Sequence, residues 1–208
     1  MAVKLITADA VIQRMSLGDH EDILNSVDSA LTGVSALVSS TLDTKLDPLV
    51  DTVEVFLPDV NKYWATTPQG LLRIRLRNGF VNPGTVELKS GDTLASVRNH
   101  QGTVVSTDDY DIDYERGYIY LNLVHDLKYL SVKYSSGILV PAGLSEPSDV
   151  PDWLQEVALA YVPVVMNQNQ TTNRSAEMEP VLTALSKQAA TILDAHARNL
   201  SFTHSPIL

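Results

Sequence analysis

The spacing of apolar residues changes period twice along this chain, and that limits the folds open to it. Near both ends apolar side chains recur every three or four residues, the repeat of a helix face. Between the ends they alternate in twos, the repeat of a half-buried strand. In the first part Ile23, Leu24, Val27, Ala30, Leu31, Val34, Leu37, Val38, Leu42 and Leu46 form one face. Asn25, Ser26, Asp28, Ser29, Thr32, Ser35, Ser39, Ser40 and Asp43 form the other. Asp19 starts this helix, with Glu21 and Asp22 at its positive end, and Pro48 ends the run. A helix of about 27 residues would be about 40 Å long at about 1.5 Å per residue. One small domain rarely covers such a length, so neighbouring subunits are expected to share it. A shorter helix precedes it, capped by Thr7, carrying Asp9 in its first turn, running through about Met15 and stopped by Gly18.

From Asp51 the period is two. Val53, Val55 and Leu57 alternate with Glu54 and Phe56, and Leu72, Ile74 and Leu76 with Arg73, Arg75 and Arg77. Val86 and Leu88 alternate with Glu87 and Lys89, and Tyr110, Ile112 and Tyr114 with acids. Tyr118–Leu123 and Tyr129–Tyr134 read as two more strands. Asn82-Pro-Gly84, Ser90-Gly-Asp92 and Gln101-Gly102 are turn signals between them. The block predicts six or seven short strands in a small sandwich or barrel. Ser136 to Pro151 reads as a linker. Pro151 then suits the first turn of a third helix bearing Trp153, Leu154, Val157, Ala158, Tyr161 and Val165, which Pro163 should kink or end. Asn167–Asn173 reads as a loop. Ser175 can cap a fourth helix, with Pro180 early in it and Val181, Leu182, Leu185, Ala189, Ile192, Leu193 and His196 at helical spacing. The fold class is α+β. Residues 1–50 and 144–200 form a helical core, 51–143 an inserted antiparallel β domain, and 201–208 an extended tail.

Composition narrows the function. The chain has no cysteine, which excludes a disulfide scaffold, a cysteine zinc site and a thiol nucleophile. The N-terminus lacks the apolar region of a signal peptide, and the longest apolar run, Val157–Met166, is too short to span a bilayer. No membrane association is expected, and synthesis is expected in the cytosol. The net charge is −10, which disfavours tight binding of nucleic acid. Residues 1–50 carry seven acids and three bases, and 144–208 carry the same counts, so −8 lies in the helical ends. Those charges fit a solvated helix surface, or a wall that repels DNA.

Chemistry-bearing patterns are few. Asp109, Asp111 and Asp113 alternate as in a calcium loop, but Tyr114 stands where the sharp turn needs Gly. An acidic strand face explains the run as well. Arg73, Arg75 and Arg77 share a strand face and suit ion pairing, across strands or between subunits, more than a phosphate stripe. His20, His100, His125, His196 and His204 show no metal spacing, and no Walker loop, GxSxG or GxGxxG occurs. His196 reads as a packed or interface residue, Trp153 as a core anchor, and Trp64 as a possible interface anchor. Two glycosylation sequons, Asn169-Gln-Thr171 and Asn199-Leu-Ser201, read as chance matches without a secretion signal. No enzyme, cofactor or metal is expected.

Three motifs then follow in order. They are Tyr110-Asp-Ile-Asp-Tyr114-Glu-Arg-Gly117-Tyr-Ile-Tyr-Leu121, Lys133-Tyr134-Ser-Ser-Gly137, and Pro151-Asp-Trp-Leu154-Gln-Glu-Val-Ala158. Their succession resembles the head–tail connector (adaptor, or neck) proteins of tailed bacteriophages. The resemblance is specific over residues 106–165. The departure is size, since compact members carry only a short insertion where this chain has a whole β block. The resemblance implies a virion protein of the neck, a homo-oligomeric ring of twelve subunits beneath the portal. It implies a downstream neck or tail protein as the second partner, and double-stranded DNA passing through unbound. Leu24, Val27, Leu31, Val34, Val38, Leu185, Ile192 and the three arginines are the expected subunit interface. The tail, with Leu200, Phe202, Ile207 and Leu208, is either a frayed end or an arm that docks on the portal. A competing reading is a β-sandwich binding module, for protein or saccharide, on a helical oligomerisation stalk.

Overall fold

A computed structural model describes residues 3–17, 21–57, 64–66, 71–122, 129–138, 150–169 and 179–200, with backbone only at 64–66, 168–169 and 197–200. The fold is α+β. The chain divides into two compact units, one of residues 1–47 with 138–208 and one of residues 48–137.

The first unit is a bundle of four described helices: α1 (Ala8–Met15), α2 (Glu21–Thr41), α4 (Asp152–Asn169) and α5 (Glu179–Leu200). Helix α4 packs against both α2 and α5, and α1 packs on α2. It is apolar nearly all round, which suits a helix covered on several sides. Leu154, Val157, Ala158 and Val162 on α4 are wholly covered, as are Val27, Ala30, Leu31, Val34 and Val38 on α2. Pro163 lies inside α4 and the helix runs on to Asn169, so the proline does not end it. Asn167–Asn169, expected in a loop, belong to its last turn.

Helix α2 stops at Thr41, well short of Pro48. Its end is a Schellman motif: Thr44 N–H donates to the Ser39 carbonyl, Asp43 N–H to the Ser40 carbonyl, and Asp43 takes φ 50°. Helix α1 ends the same way at Ser16, φ 53°, where Leu17 N–H donates to Ile12 and Ser16 N–H to Gln13. Both turns use a non-glycine residue in the left-handed region; α1 ends at Met15 as expected, whereas α2 ends ahead of its expected stop. Past the turn, Leu42 and Leu46 stay in the core as loop residues. Ile138, expected in the linker, belongs here too; it is 3% exposed and its N–H donates to the Leu46 carbonyl at 2.9 Å. Gly18, Asp19, Ser175 and 139–149 lie outside the described residues.

The second unit holds two four-stranded antiparallel sheets. One has the order β1 (Leu49–Phe56), β8 (Tyr129–Ser136), β4 (Glu87–Gly91), β5 (Thr103–Val104). The other runs β2 (Trp64–Thr66), β3 (Leu72–Arg75), β7 (Tyr118–Leu121), β6 (Tyr110–Asp113). Side chains of both sheets, including Phe56, Leu88, Leu130 and Val132 from one and Leu72, Ile74, Ile119 and Leu121 from the other, share one core. That is a sandwich. Strands β2 and β5, and the five-residue helix α3 (Leu94–Arg98) between β4 and β5, are additions to the expected strands.

On β1 the apolar alternation is not the core face. Phe56 is buried and Val53 is 42% exposed, so Thr52, Glu54 and Phe56 share the inward parity. At Gly117, φ 66°, an added Cβ would lie 2.5 Å from the Asn78 carbonyl oxygen, so this turn admits only glycine without displacement.

Candidate functional site

The residues expected at a subunit interface fall into three groups. Val27, Leu31, Val34 and Val38 are each 0% exposed within a single chain. They cannot also cover a neighbour; they build the bundle's own core, because α4 already occupies that face of α2. Leu24, Leu185 and Ile192 are half-buried and keep part of their apolar surface on the outside. Leu37 on α2 and Val181 on α5, 41% and 52% exposed, are more open still. The apolar surface left for a partner is therefore the margin of the helical stripes, not their centre. Helical period alone does not separate the two, since it gives a face and not the width of what covers it.

The three arginines divide as well. Arg73 and Arg75 alternate with the buried Leu72 and Ile74 on β3, on the side of the sheet away from the core. Cross-strand register puts Arg73 beside Tyr120 and Arg75 beside Tyr118 on β7, with Asp111 and Asp113 of β6 next in line. A tyrosine strand thus separates the arginine strand from the acidic one. The Arg73 guanidinium lies 5.3 Å from the Tyr118 ring centroid, within cation–π range, and Tyr118 meets Tyr120 edge-on. Burial raises the Tyr118 hydroxyl above its ordinary pKa, and Arg75 and Arg73 partly offset it. Asp113 is held by its own turn: it accepts from Arg116 N–H at 3.0 Å and pairs with the Arg116 guanidinium at 3.3 Å. Asp109 sits in a 3-10 turn. Among the described residues no group of three His, Asp or Glu side chains is placed to hold a metal ion.

Arg77 lies past the end of β3, and its backbone N–H is what the fold uses. It donates to both carboxylate oxygens of Glu54, at 3.0 and 3.1 Å. The Tyr134 hydroxyl donates to the same carboxylate, and Asn78 Nδ2 donates to the Tyr134 oxygen at 3.4 Å. Burial pushes the Glu54 carboxyl above its usual range, against the pull of Tyr134 and Arg77. The Tyr134 phenol is raised as well, by burial first and by the Glu54 carboxylate second. The only sequence signal for this array was that Glu54 shares its strand parity with the large apolar Phe56.

A second polar array lies on the outer side of the other sheet. His100 Nδ1 is 2.9 Å from Ser131 Oγ, and His100 Nε2 is 3.3 Å from Glu87. Lys89 pairs with Glu87 at 2.9 Å and donates to the His100 carbonyl. The Glu87 carboxyl is held below its usual range, first by the Lys89 hydrogen bond. The order serine, histidine, acid is that of a nucleophile array. Ser131, however, is 0% exposed, so its hydroxyl meets no substrate in this fold. The array pins His100, which takes φ 53° at the end of α3, to the sheet.

On the last helix the His196 ring stacks on Trp153 with centroids 3.7 Å apart and planes 9° apart. This contact joins the start of α4 to the end of α5. The side chains of Trp64 and Leu200, and the residues His20, His125, His204, Phe202, Ile207 and Leu208, lie outside the described residues. No described helix is long and apolar enough to cross a membrane. No protein-family model matches the chain, and no curated protein matches it in sequence. Among solved structures, the chain is similar to one from the virion of the native gene transfer agent particle. That match has 10% identity and a TM-score of 0.43, and covers 90% of this chain and 91% of the other.

Proposed function

We propose that this chain is a structural protein of a tailed-phage-like virion, a head–tail connector that assembles as a closed ring beneath a portal. The observation that carries the reading is the order of parts. A helical bundle is made from the two ends of the chain, with a β sandwich inserted between α2 and α4. The motifs behind the family resemblance fall on a hairpin of the sandwich, at its last strand and at the start of the returning helix. Tyr110–Leu121 spans the β6–β7 hairpin, Lys133–Gly137 closes β8, and Pro151 opens α4.

In this reading the half-covered margin of the bundle supplies the subunit contact. Leu24, Leu37, Val181, Leu185 and Ile192 keep apolar surface that a neighbour in a ring would cover. Arg73 and Arg75 can add polar contacts at the sandwich. The portal and the next neck or tail component are the two partners, and the segment Leu200–Leu208 is the portal-docking arm. A chain of net charge −10 lets duplex DNA pass without holding it.

The experiment is native mass measurement and negative-stain imaging of the purified chain, alone and with a portal ring. Closed rings, alone or on the portal, are the expected outcome. A monomer that stays monomeric and joins no portal ring would overturn the reading; glycan or protein affinity in that monomer would favour a binding module.

A further inference from the structure

Strands β4 and β5 pair at Ser90 and Thr103, and the chain between them, residues 92–102, forms a strap that carries α3. Its two ends lie close together, the layout of a compact surface loop. An added Cβ at Gly102 would run into the Ser90 carbonyl, so the base of the strap is closed backbone against backbone. Helix α3 packs on β4 and β8. Ser131 of β8 alternates with the core residues Leu130 and Val132, so it points away from the core, yet it is 0% exposed. The strap covers it.

The hold of the strap on the sheet is narrow. Val97 is its one buried side chain. The remaining ties gather on His100. Its ring places Nδ1 2.9 Å from Ser131 Oγ and Nε2 3.3 Å from Glu87, and its carbonyl accepts from Lys89 Nζ at 3.0 Å. The same residue takes φ 53°, a left-handed backbone that costs a side-chain-bearing residue energy, which these contacts offset.

We propose that residues 92–102 are a lid on the outer face of β4 and β8, which opens as a unit while the sandwich stays folded, with His100 as its latch. A segment with one buried apolar anchor opens at lower free energy than the sheet beneath it, whose Leu88, Leu130 and Val132 belong to the shared core. When the lid lifts, the His100 ring leaves Ser131 and Glu87, the strained backbone relaxes, and the Ser131 hydroxyl meets solvent.

The chain has no cysteine, so one substitution places a single thiol. In the full chain, Val97→Cys puts it on the lid and Val132→Cys puts it in the core; both positions are 0% exposed. Reaction with a small aromatic disulfide reads the opening of each. The thiol at position 97 is expected to react faster, and with a weaker dependence on denaturant, because a lid exposes less surface than the whole sandwich. His100→Asn removes the ring contacts but keeps a side chain that tolerates the left-handed backbone, and is expected to speed reaction at position 97 by about tenfold. Ile119→Ala, in the shared core, is expected to speed reaction at position 132 and leave position 97 unchanged. Equal rates and denaturant slopes at the two positions, or no response of position 97 to His100→Asn, overturn the proposal. If a cysteine chain fails to fold, amide exchange of Gln101 N–H, bonded to the Ser96 carbonyl at 3.0 Å, replaces the thiol. Exchange faster than that of the β8 amides, and faster again in His100→Asn, supports the lid; protection equal to that of β8 overturns it.

Discussion

The helical unit and the sandwich are built on opposite plans. The bundle is discontinuous: α1 and α2 come from one end of the chain, α4 and α5 from the other, and its core exists only when both are present. The sandwich is continuous, residues 48–137, and closes on its own core. The two plans are compatible because the sandwich begins and ends at one place. Leu49 and Ser136 are paired across β1 and β8, and on the bundle side Ile138 N–H bonds to the Leu46 carbonyl. Insertion thus asks the bundle to hold open a gap no wider than one strand pair, roughly 5 Å between Cα atoms. A block of this size then costs the host little, since loop-closure entropy grows only slowly with length.

The strongest way to break this comparison is to separate the units. Residues 48–137 expressed alone are expected to fold, showing a cooperative melt and dispersed amide resonances. The complementary chain, with Pro48–Gly137 replaced by a short Gly-Ser turn, is expected to keep its helical circular dichroism. Residues 1–47 alone are expected to lose theirs, because Val27, Leu31, Val34 and Val38 would then face water in place of α4. A sandwich fragment that stays unfolded would show that it depends on the bundle.

A core truncation sharpens the same point at smaller scale. Leu154 on α4 is 0% exposed, on a helix that packs against both α2 and α5. Leu154→Ala is expected to destabilise the bundle by about 2–5 kcal/mol, the range for a buried leucine that leaves a cavity. Denaturant unfolding followed through Trp153, with Trp64→Phe as background, measures it. The unfolding midpoint read from Trp64 in the Trp153→Phe background should not move. If it moves equally, the two units unfold as one.

What the sequence made legible follows the same division. Helix and strand regions were readable because the period of apolar residues differs between 3.6 and 2, and that signal is local. The end of α2 was not, because Asp43 takes the left-handed turn that glycine usually signals. The inward face of β1 was hidden because valines mark its outer side, while Glu54 occupies an inward position with partners far away in sequence. Val27, Leu31, Val34 and Val38 were assigned to a neighbouring subunit for a related reason. A heptad-like stripe on α2 announces that something covers it, and α4 of the same chain, more than a hundred residues on, is what does so.

The smallest expected effects compare two helix caps, one in each unit. Thr7 caps α1, its hydroxyl oxygen accepting from Ala10 N–H at 3.0 Å. Thr93 caps α3 in the sandwich, accepting from Ser96 N–H at 3.2 Å. The two are not equivalent. At α3 the Ser96 hydroxyl reaches back to the Thr93 carbonyl at 2.7 Å, a second tie that survives removal of the Thr93 side chain. At α1 the described side-chain cap is Thr7 alone, and Asp9 in the first turn helps only through the helix dipole. Thr7→Ala is therefore expected to cost about 1 kcal/mol, and Thr7→Ser to retain most of it. Thr93→Ala is expected to cost less than Thr7→Ala. Denaturant midpoints of the four chains, read by circular dichroism for the bundle and by Trp64 for the sandwich, decide it. An equal or larger loss at Thr93 would mean that the Ser96 tie contributes nothing and that the five-residue helix hangs on its threonine alone.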